Sequence, residues 1–369
     1  MNLFALIALC ATYTINPDSL VRGIYINPWQ GCNQDYMDRV FAQADSGLIN
    51  ALIIDFKGDY GYLTYASEIG LAKKLGAVKK YLDLDYLLKN AAARNVKIIA
   101  RIVCFRDNYL ARYKNWGMRD DQGNIWYDKT GTAWTNPYID SVGEYLVSIV
   151  EELVKLGVTS IAFDYIRFPT DGAVDQIRLT KVNGPRYKPI VKFLQKIRET
   201  VPDAEIGACV FGFTAWHDLK NEGQILEQFG PNLDVIYPML YPSHFPAAFK
   251  REVSEYWRNY WIYFDSVKGA FKKLPPGVKV VPFIQGFKLM AQDFNYEYIL
   301  SQLDGSVSAD AQGFIIWNAS NDYATSWTPI WWVYNSVRAQ AFRTIPDTHK
   351  KETGLQSPDI DFAPSLFQW

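Results

Sequence analysis

The segment Ser160-Ile161-Ala162-Phe163-Asp164-Tyr165-Ile166-Arg167-Phe168-Pro169 holds a short apolar run that stops on an aspartate. Apolar residues recur at helical spacing over Ser141 to Leu156 before it and over Lys188 to Val201 after it, so the run reads as the strand of a strand-helix repeat. Seven further runs share its character: Arg22-Gly23-Ile24-Tyr25-Ile26, Ala51-Leu52-Ile53-Ile54-Asp55, Val96-Lys97-Ile98-Ile99-Ala100-Arg101, Ile206-Gly207-Ala208-Cys209-Val210, Val235-Ile236-Tyr237-Pro238-Met239, Val278-Lys279-Val280-Val281-Pro282-Phe283 and Gly313-Phe314-Ile315-Ile316-Trp317. They start about 42 residues apart on average, the length of a strand, a helix and two loops. The remaining helices are expected over Asp35 to Ala44, Leu84 to Arg94, Gln224 to Phe229, Phe249 to Lys272, Tyr296 to Leu303 and Trp331 to Ala341. This alternation predicts an α/β protein, a single (β/α)8 TIM barrel over residues 21–344. An open doubly wound sheet would ordinarily carry a Gly-rich phosphate loop after its first strand, and Asn27-Pro28-Trp29-Gln30-Gly31 is not one.

The 369 residues hold 49% hydrophobic and 21% charged residues, a globular composition. With 38 Lys+Arg against 39 Asp+Glu the formal charge is −1, which argues against binding nucleic acid or anionic membrane through bulk electrostatics. Trp 12, Tyr 24 and Phe 21 make 15% of the chain aromatic, a surplus that sugar-binding clefts would use.

Leu3 to Ala11 is apolar and of the length of a signal-peptide core, although no Lys or Arg precedes it. Residues 1–20 are therefore read as a leader resembling a signal peptide, placing the protein outside the cell or in the envelope; without its export the protein would be cytoplasmic. No stretch approaches about 20 consecutive apolar residues, so no membrane-spanning segment is expected. Residues 345–369 lack periodicity and read as a C-terminal tail. Cys10, Cys32, Cys104 and Cys209 form no disulfide or metal-knuckle pattern.

In a barrel enzyme, working residues come from the C-terminal ends of strands and the loops that follow. Here those positions are rich in Asp: Asp55 and Asp59 after the second strand, and Asp164 after the fourth. Asp164 has two readings, a glycosidase-type nucleophile or an ion pair with Arg101 or Arg167 that orders the loop. Arg101 likewise is either a partner of substrate and nucleophile or half of a buried structural pair. Clean alternation through Phe56 would put Asp55 and Lys57 on one face, as a salt bridge at the barrel mouth. Tyr241 and His244, Gln285, and Trp317 with Asn318 follow the sixth, seventh and eighth strands and suit carbohydrate recognition. The longest loop follows the third strand and contains Trp116, Trp126 and Trp134, which with Trp317 form the expected sugar-stacking set. Trp257, Trp261, Trp331 and Trp332 fall on outer helices, where packing accounts for them. His217, His244 and His349 are the three histidines, and neither HExxH nor GxSxG occurs, so no metal and no cofactor are implied. His217-Asp218 reads as a loop feature.

Taken in order, several blocks resemble the Putative glycoside hydrolase domain family, a former domain of unknown function grouped with barrel glycosidases of the α-amylase and α-galactosidase type. They are Asn50 to Lys57 with Asp59-Tyr60-Gly61, Ile99 to Asp107, Trp134 to Tyr138, Phe163 to Thr170, Val210-Phe211-Gly212, Tyr237 to His244, Ile284 to Phe287 and Trp317 to Asn321. The resemblance covers about Arg22 to Tyr323 and implies a glycosidase barrel with Asp164 in the nucleophile-like position. It also implies an acidic residue on the fifth strand before Val-Phe-Gly, where this chain carries Cys209. A neutral thiol is no substitute for a tuned carboxylic acid, whose loss typically costs about 10²- to 10⁴-fold in rate. Asp55, Asp59 and Asp218 remain as acid candidates.

The leading expectation is a glycoside hydrolase acting on a polysaccharide or oligosaccharide. Asp164 would be nucleophile or electrostatic stabiliser, Asp55 or Asp59 its acid/base partner, and Lys57, Arg101, Arg167, Tyr241, His244, Gln285, Trp317 and Asn318 would bind substrate. The alternative is a catalytically impaired barrel that binds glycan at the cell envelope. The expected partner is a carbohydrate, with no nucleic acid.

Overall fold

The computed structural model describes residues 19–344, so residues 1–18 of the leader and all of the tail lie outside the described residues. The strands are β1 (Val21–Ile26), β2 (Ala51–Lys57), β3 (Lys97–Val103), β4 (Ser160–Asp164), β5 (Glu205–Phe211), β6 (Val235–Met239), β7 (Lys279–Val280), β8 (Phe283–Gln285) and β9 (Gly313–Trp317). All pairings between them are parallel, and β5 pairs with β6 to close the ring. The order β5-β4-β3-β2-β1-β9-β8-β6-β7 makes eight positions, because β7 and β8 are halves of one strand. Pro282 separates them, since it has no N–H for the ladder. The ladder still continues across the break, with Val281 N–H donating to the Ile236 carbonyl and the Pro282 carbonyl accepting from Ile315 N–H, both at 3.0 Å.

Between the strands lie α1 (Pro28–Gly31), α2 (Gln34–Asp45), α3 (Gly70–Lys74), α4 (Leu84–Ala93), α5 (Asp140–Lys155), α6 (Tyr187–Thr200), α7 (Leu226–Phe229), α8 (Glu255–Lys273), α9 (Tyr296–Ser308) and α10 (Trp327–Thr344). Asn33, Asp83 and Asn295 cap α2, α4 and α9 by accepting hydrogen bonds from first-turn N–H groups, contacts typically worth about 1 kcal/mol each. The helix expected from Phe249 begins only at Glu255. Pro246 lies just before Phe249, and Lys250 takes a left-handed φ of 54°, so the chain turns before the helix starts.

Strand residues alternate between two cores. Tyr25, Ile53, Ile99, Ala162, Cys209, Tyr237, Phe283 and Ile315 fill the barrel interior. Their neighbours Ile24, Leu52, Ile54, Ala100, Phe163, Ala208, Ile236 and Ile316 pack outward against Met37, Leu87, Leu146, Leu194, Val267 and Leu303 of the helices. Complete burial of such side chains stabilises by about 1.5–3 kcal/mol each. The interior parity that holds Ile53, Ile99 and Ala162 brings Asp55, Arg101 and Asp164 to the same mouth two residues later.

The long loop after β3 is tied by antiparallel bridges Arg106↔Trp134, Gly117↔Thr135 and Tyr127↔Ala133. At its centre Asp128 accepts from Arg106 Nε at 2.8 Å, Trp134 Nε1 at 3.0 Å and the N–H groups of Thr130 and Thr132. Burial opposes ionisation there, but these donors hold the Asp128 carboxyl down at about 2. Trp126 donates to the Ala173 carbonyl at 2.9 Å, and Trp126 and Trp134 are both buried. Two of the expected sugar-stacking rings therefore serve as loop core. Trp116 is half-buried, with Tyr113 edge-on at 5.1 Å.

Candidate active site

A cavity of about 670 Å³ opens at the C-terminal ends of the strands, within the usual range for ligand sites. Asp59, Arg101, Asp164, Arg167, Tyr241, His244 and Trp317 line it, together with residues that sequence reasoning missed: Tyr165, Asp171, Phe211, Phe213 and Glu222 among them.

Its charged centre is one guanidinium holding three carboxylates. Arg101 Nη1 meets Asp55 Oδ1 at 2.7 Å, while Nη2 meets Asp164 Oδ2 at 2.7 Å and Asp59 Oδ1 at 2.9 Å. Arg101 Nε also donates to Asp164 Oδ2 at 2.8 Å. Because Asp59 and Asp164 share one nitrogen, their contacting oxygens can be no more than about 5.6 Å apart, below the roughly 6.5–9.5 Å carboxyl separation of inverting glycosidases. Asp55 lies deeper, takes the Tyr25 hydroxyl at 2.8 Å, and is pushed up to about 6 by burial against the opposing pull of Arg101.

Tyr165 follows Asp164 at a φ of 47°, a conformation unusual for an aromatic residue, and its N–H donates to Asp164 Oδ1 at 2.6 Å. The local backbone and Arg101 together thus fix both oxygens of Asp164. Trp317 stacks on Tyr25 at 3.8 Å, and Arg101 lies 5.1 Å from its ring centroid.

Arg167 has different surroundings. Its guanidinium carbon lies 4.5 Å from the Phe211 centroid and 5.1 Å from those of Trp134 and Tyr165. It donates to the Phe168 carbonyl at 2.9 Å and makes no ion pair among the described residues. Burial lowers its pKa. Burial also lowers that of His244, whose Nδ1 lies 3.0 Å from Ser243 Oγ.

Several expected ligand contacts are occupied elsewhere. The register shift between Asp55 and Lys57 breaks the alternation and sends Lys57 away from the mouth. It is fully buried, 2.8 Å from Asp107 Oδ2 and 2.6 Å from the Val103 carbonyl, so it pairs with Asp107 and not with Asp55. Gln285 spends its amide on the Phe287 and Leu289 carbonyls and on Ser243 N–H. Asn318 bonds the Gly286 and Asp322 carbonyls and Ser320 N–H. Both amides order loops and neither lines the cavity. Asp218 pairs with Lys273 at 2.9 Å and is not among the residues lining the cavity. Cys209 is a fully buried thiol of the barrel interior, raised far above its ordinary pKa by burial and then by the charge of Asp164. Cys32 and Cys104 are likewise free thiols.

Among the described residues no three His, Cys, Asp or Glu side chains are grouped to hold a metal ion. No helix among them is long and apolar enough to cross a membrane.

A closed parallel barrel whose mouth gathers carboxylates around an aromatic-walled cavity has the architecture of barrel glycosidases. The chain belongs to the Putative glycosyl hydrolase domain family, whose model matches residues 23–323, and this membership supports a glycosidase-type function with a carbohydrate substrate. Among solved structures, the glycoside hydrolase domain of PgaB (BpsB) from Bordetella bronchiseptica is similar over 81% of this chain and 94% of its own, with a TM-score of 0.57 and 9% identity. Chitinase RmChi1 from Rhizomucor miehei is similar over 84% of this chain and 99% of its own, at TM-score 0.50 and 11% identity. At such identities the likeness concerns the fold alone. A hypothetical protein from Ruminiclostridium thermocellum ATCC 27405 is 30% identical, covering 50% of this chain and 96% of its own, with a TM-score of 0.48. No curated protein matches the chain.

Proposed function

We propose that this protein hydrolyses a glycosidic bond of a polysaccharide or oligosaccharide in the cavity at the barrel mouth, with Asp164 and Asp59 as the working carboxylates. The observation that carries the reading is the shared contact of both acids with Arg101 Nη2 on the cavity wall. Asp164, fixed by Arg101 and by Tyr165 N–H, is suited to attack the anomeric carbon or to stabilise its positive charge. Asp59 is the more exposed member of the cluster, with 43% of its side chain accessible, and is placed to exchange protons with solvent and with the leaving oxygen. It protonates that oxygen as the bond to the sugar breaks, and afterwards takes a proton from the water that releases the glycosyl group from Asp164. The short separation supports retention of configuration. Asp55 and Arg101 are positioning residues: the first anchors Nη1, leaving Nη2 and Nε for the two acids at the cavity.

A second reading has its own support. Both oxygens of Asp164 already accept hydrogen bonds, and the fifth strand presents the neutral Cys209, features that suit a glycan-binding barrel without turnover. Reducing-sugar release from a panel of α- and β-linked glycans separates the two. Cleavage by the wild type with silence of a folded Asp164→Asn variant supports hydrolysis. Equal silence of both proteins, with both still binding glycan, supports the binding reading.

A further inference from the structure

The most exposed tryptophan in the barrel loops is Trp29, 58% accessible, on α1 directly after β1. It lies outside the cavity lining. Its ring meets Tyr81 at a centroid distance of 4.6 Å, and Tyr81 in turn meets Tyr62 edge-on at 5.9 Å. Tyr81 and Tyr62 belong to the loop after β2, so all three rings stand on the C-terminal side that holds Asp55, Asp59 and Asp164.

Two glycines build this arrangement. A Cβ on Gly31 would lie 2.7 Å from Leu82, so its absence lets α1 rest on the segment that carries Tyr81. A Cβ on Gly58 would lie 3.1 Å from the Tyr62 ring, which therefore lies across the backbone next to Asp59. Gly58 N–H also donates to the Tyr62 carbonyl at 2.9 Å, closing the turn that presents Asp59 and Tyr60. Tyr60 is 50% exposed and has Arg106 5.7 Å from its centroid, and the same guanidinium is 5.3 Å from Tyr165 on the cavity wall. Aromatic surface thus runs from Trp29 to the turn that carries Asp59, and resumes beyond it with Tyr60 and Tyr165.

The base of Trp29 is rigid. Asn27 caps α1 by accepting from Gln30 N–H at 2.9 Å. Its own N–H donates to Asn321 Oδ1 at 2.9 Å and its side-chain amide to the Ala319 carbonyl at 3.0 Å. A large exposed ring on an anchored base loses little conformational freedom when a ligand covers it. The apolar C–H faces of pyranose rings are the surfaces such rings stack on, and the platform adjoins the carboxylates proposed to act on a sugar.

We infer that Trp29, Tyr81 and Tyr62 form a second glycan-binding subsite, so that the substrate is a polymer whose chain continues from the cavity across the mouths of β1 and β2. The inference rests on the glycosidase reading for the direction of the chain, but its test is binding and not turnover.

Affinity electrophoresis through gels containing glycol chitin, soluble starch or galactomannan, with co-sedimentation on purified peptidoglycan, compares the wild type, Trp29→Ala, Trp29→Phe and Trp332→Ala. Trp332 is also exposed, at 40%, but sits on α10 and serves as the surface control. The wild type is expected to be retained by at least one polymer. Trp29→Ala should weaken that retention by about tenfold, Trp29→Phe should recover part of it, and Trp332→Ala should match the wild type. Retention of the wild type by none of the four polymers, or equal retention of Trp29→Ala, overturns the inference. Retention that depends on Trp29 without any bond cleavage leaves the subsite standing and removes the hydrolase reading alone.

Discussion

Arg101 and Arg167 reach the same cavity in opposite electrostatic company. Arg101 is encircled by Asp55, Asp59 and Asp164 and sits 2% exposed in the C-terminal half of β3. Arg167 is held by the faces of Phe211, Trp134 and Tyr165 and by one strong hydrogen bond to a backbone carbonyl. The first has its donors committed to the protein and organises the acids. The second keeps guanidinium donors for whatever enters the cavity. A cavity-lining cation is therefore a structural or a ligand-facing residue according to which groups satisfy it: Arg101 is buried among carboxylates, while Arg167 is half-buried among rings.

The difference is open to direct attack. Arg101→Met should have the largest effect, because it leaves three carboxylates together with no cation: a loss of about 3–5 kcal/mol in stability by urea or thermal unfolding, with activity abolished. Lys57→Met breaks the other buried pair, with Asp107, and should cost a similar amount of about 3–5 kcal/mol. Its folded fraction should keep the wild-type kcat, since Lys57 does not line the cavity. A fall in kcat at full folding would return Lys57 to the site.

The pH dependence comes next in size. Asp55 is raised from 3.8 to about 6 in the folded protein, so the native state binds its proton more tightly than the unfolded chain does. Its ionisation therefore costs stability, from nothing below about pH 4 to the full amount above about pH 6, on the order of 1–3 kcal/mol. Thermal unfolding across this window should show the wild type losing ground to Asp55→Asn as pH rises. A constant gap between the two proteins would contradict the shift. Arg167→Met should have the smallest effect on stability, within about 1 kcal/mol, because no carboxylate forms an ion pair with it and Asp164, Asp171 and Glu222 feel it only at longer range. It should instead raise KM by about tenfold with kcat little changed. A loss of stability comparable to that of Arg101→Met would erase the distinction.

The barrel and its acidic mouth were legible because strand alternation is local. The parity of Ile53-Asp55, Ile99-Arg101 and Ala162-Asp164 is written in consecutive residues and places all three charged groups inside one ring. Lys57 followed the same rule on paper and departs from it because a register shift against β3 lies between it and Asp55, which no local pattern signals. Trp126 and Trp134 of the long loop turn inward for a related reason. A tryptophan's partner decides its role, and those of Trp126 and Trp134 are a carbonyl and a carboxylate brought near by folding. Gln285 and Asn318 stand where a sugar contact was expected, yet their amides close loops. Glu222 went unnoticed because it lies well beyond the end of β5, and it is brought to the wall when Phe168 N–H donates to its carbonyl at 2.8 Å. Trp29 carried a readable signal in Asn27-Pro28-Trp29 directly after the first strand, where barrel loops face the site.

The most direct test of the account is the rate of reducing-end release from whichever glycan the wild type cleaves, measured side by side for the wild type, Asp164→Asn and Asp59→Asn, with folding verified for each. The account predicts losses of about 10²- to 10⁴-fold for both variants. Wild-type rates in both would contradict it, and would move the chemistry away from the two acids that share Arg101.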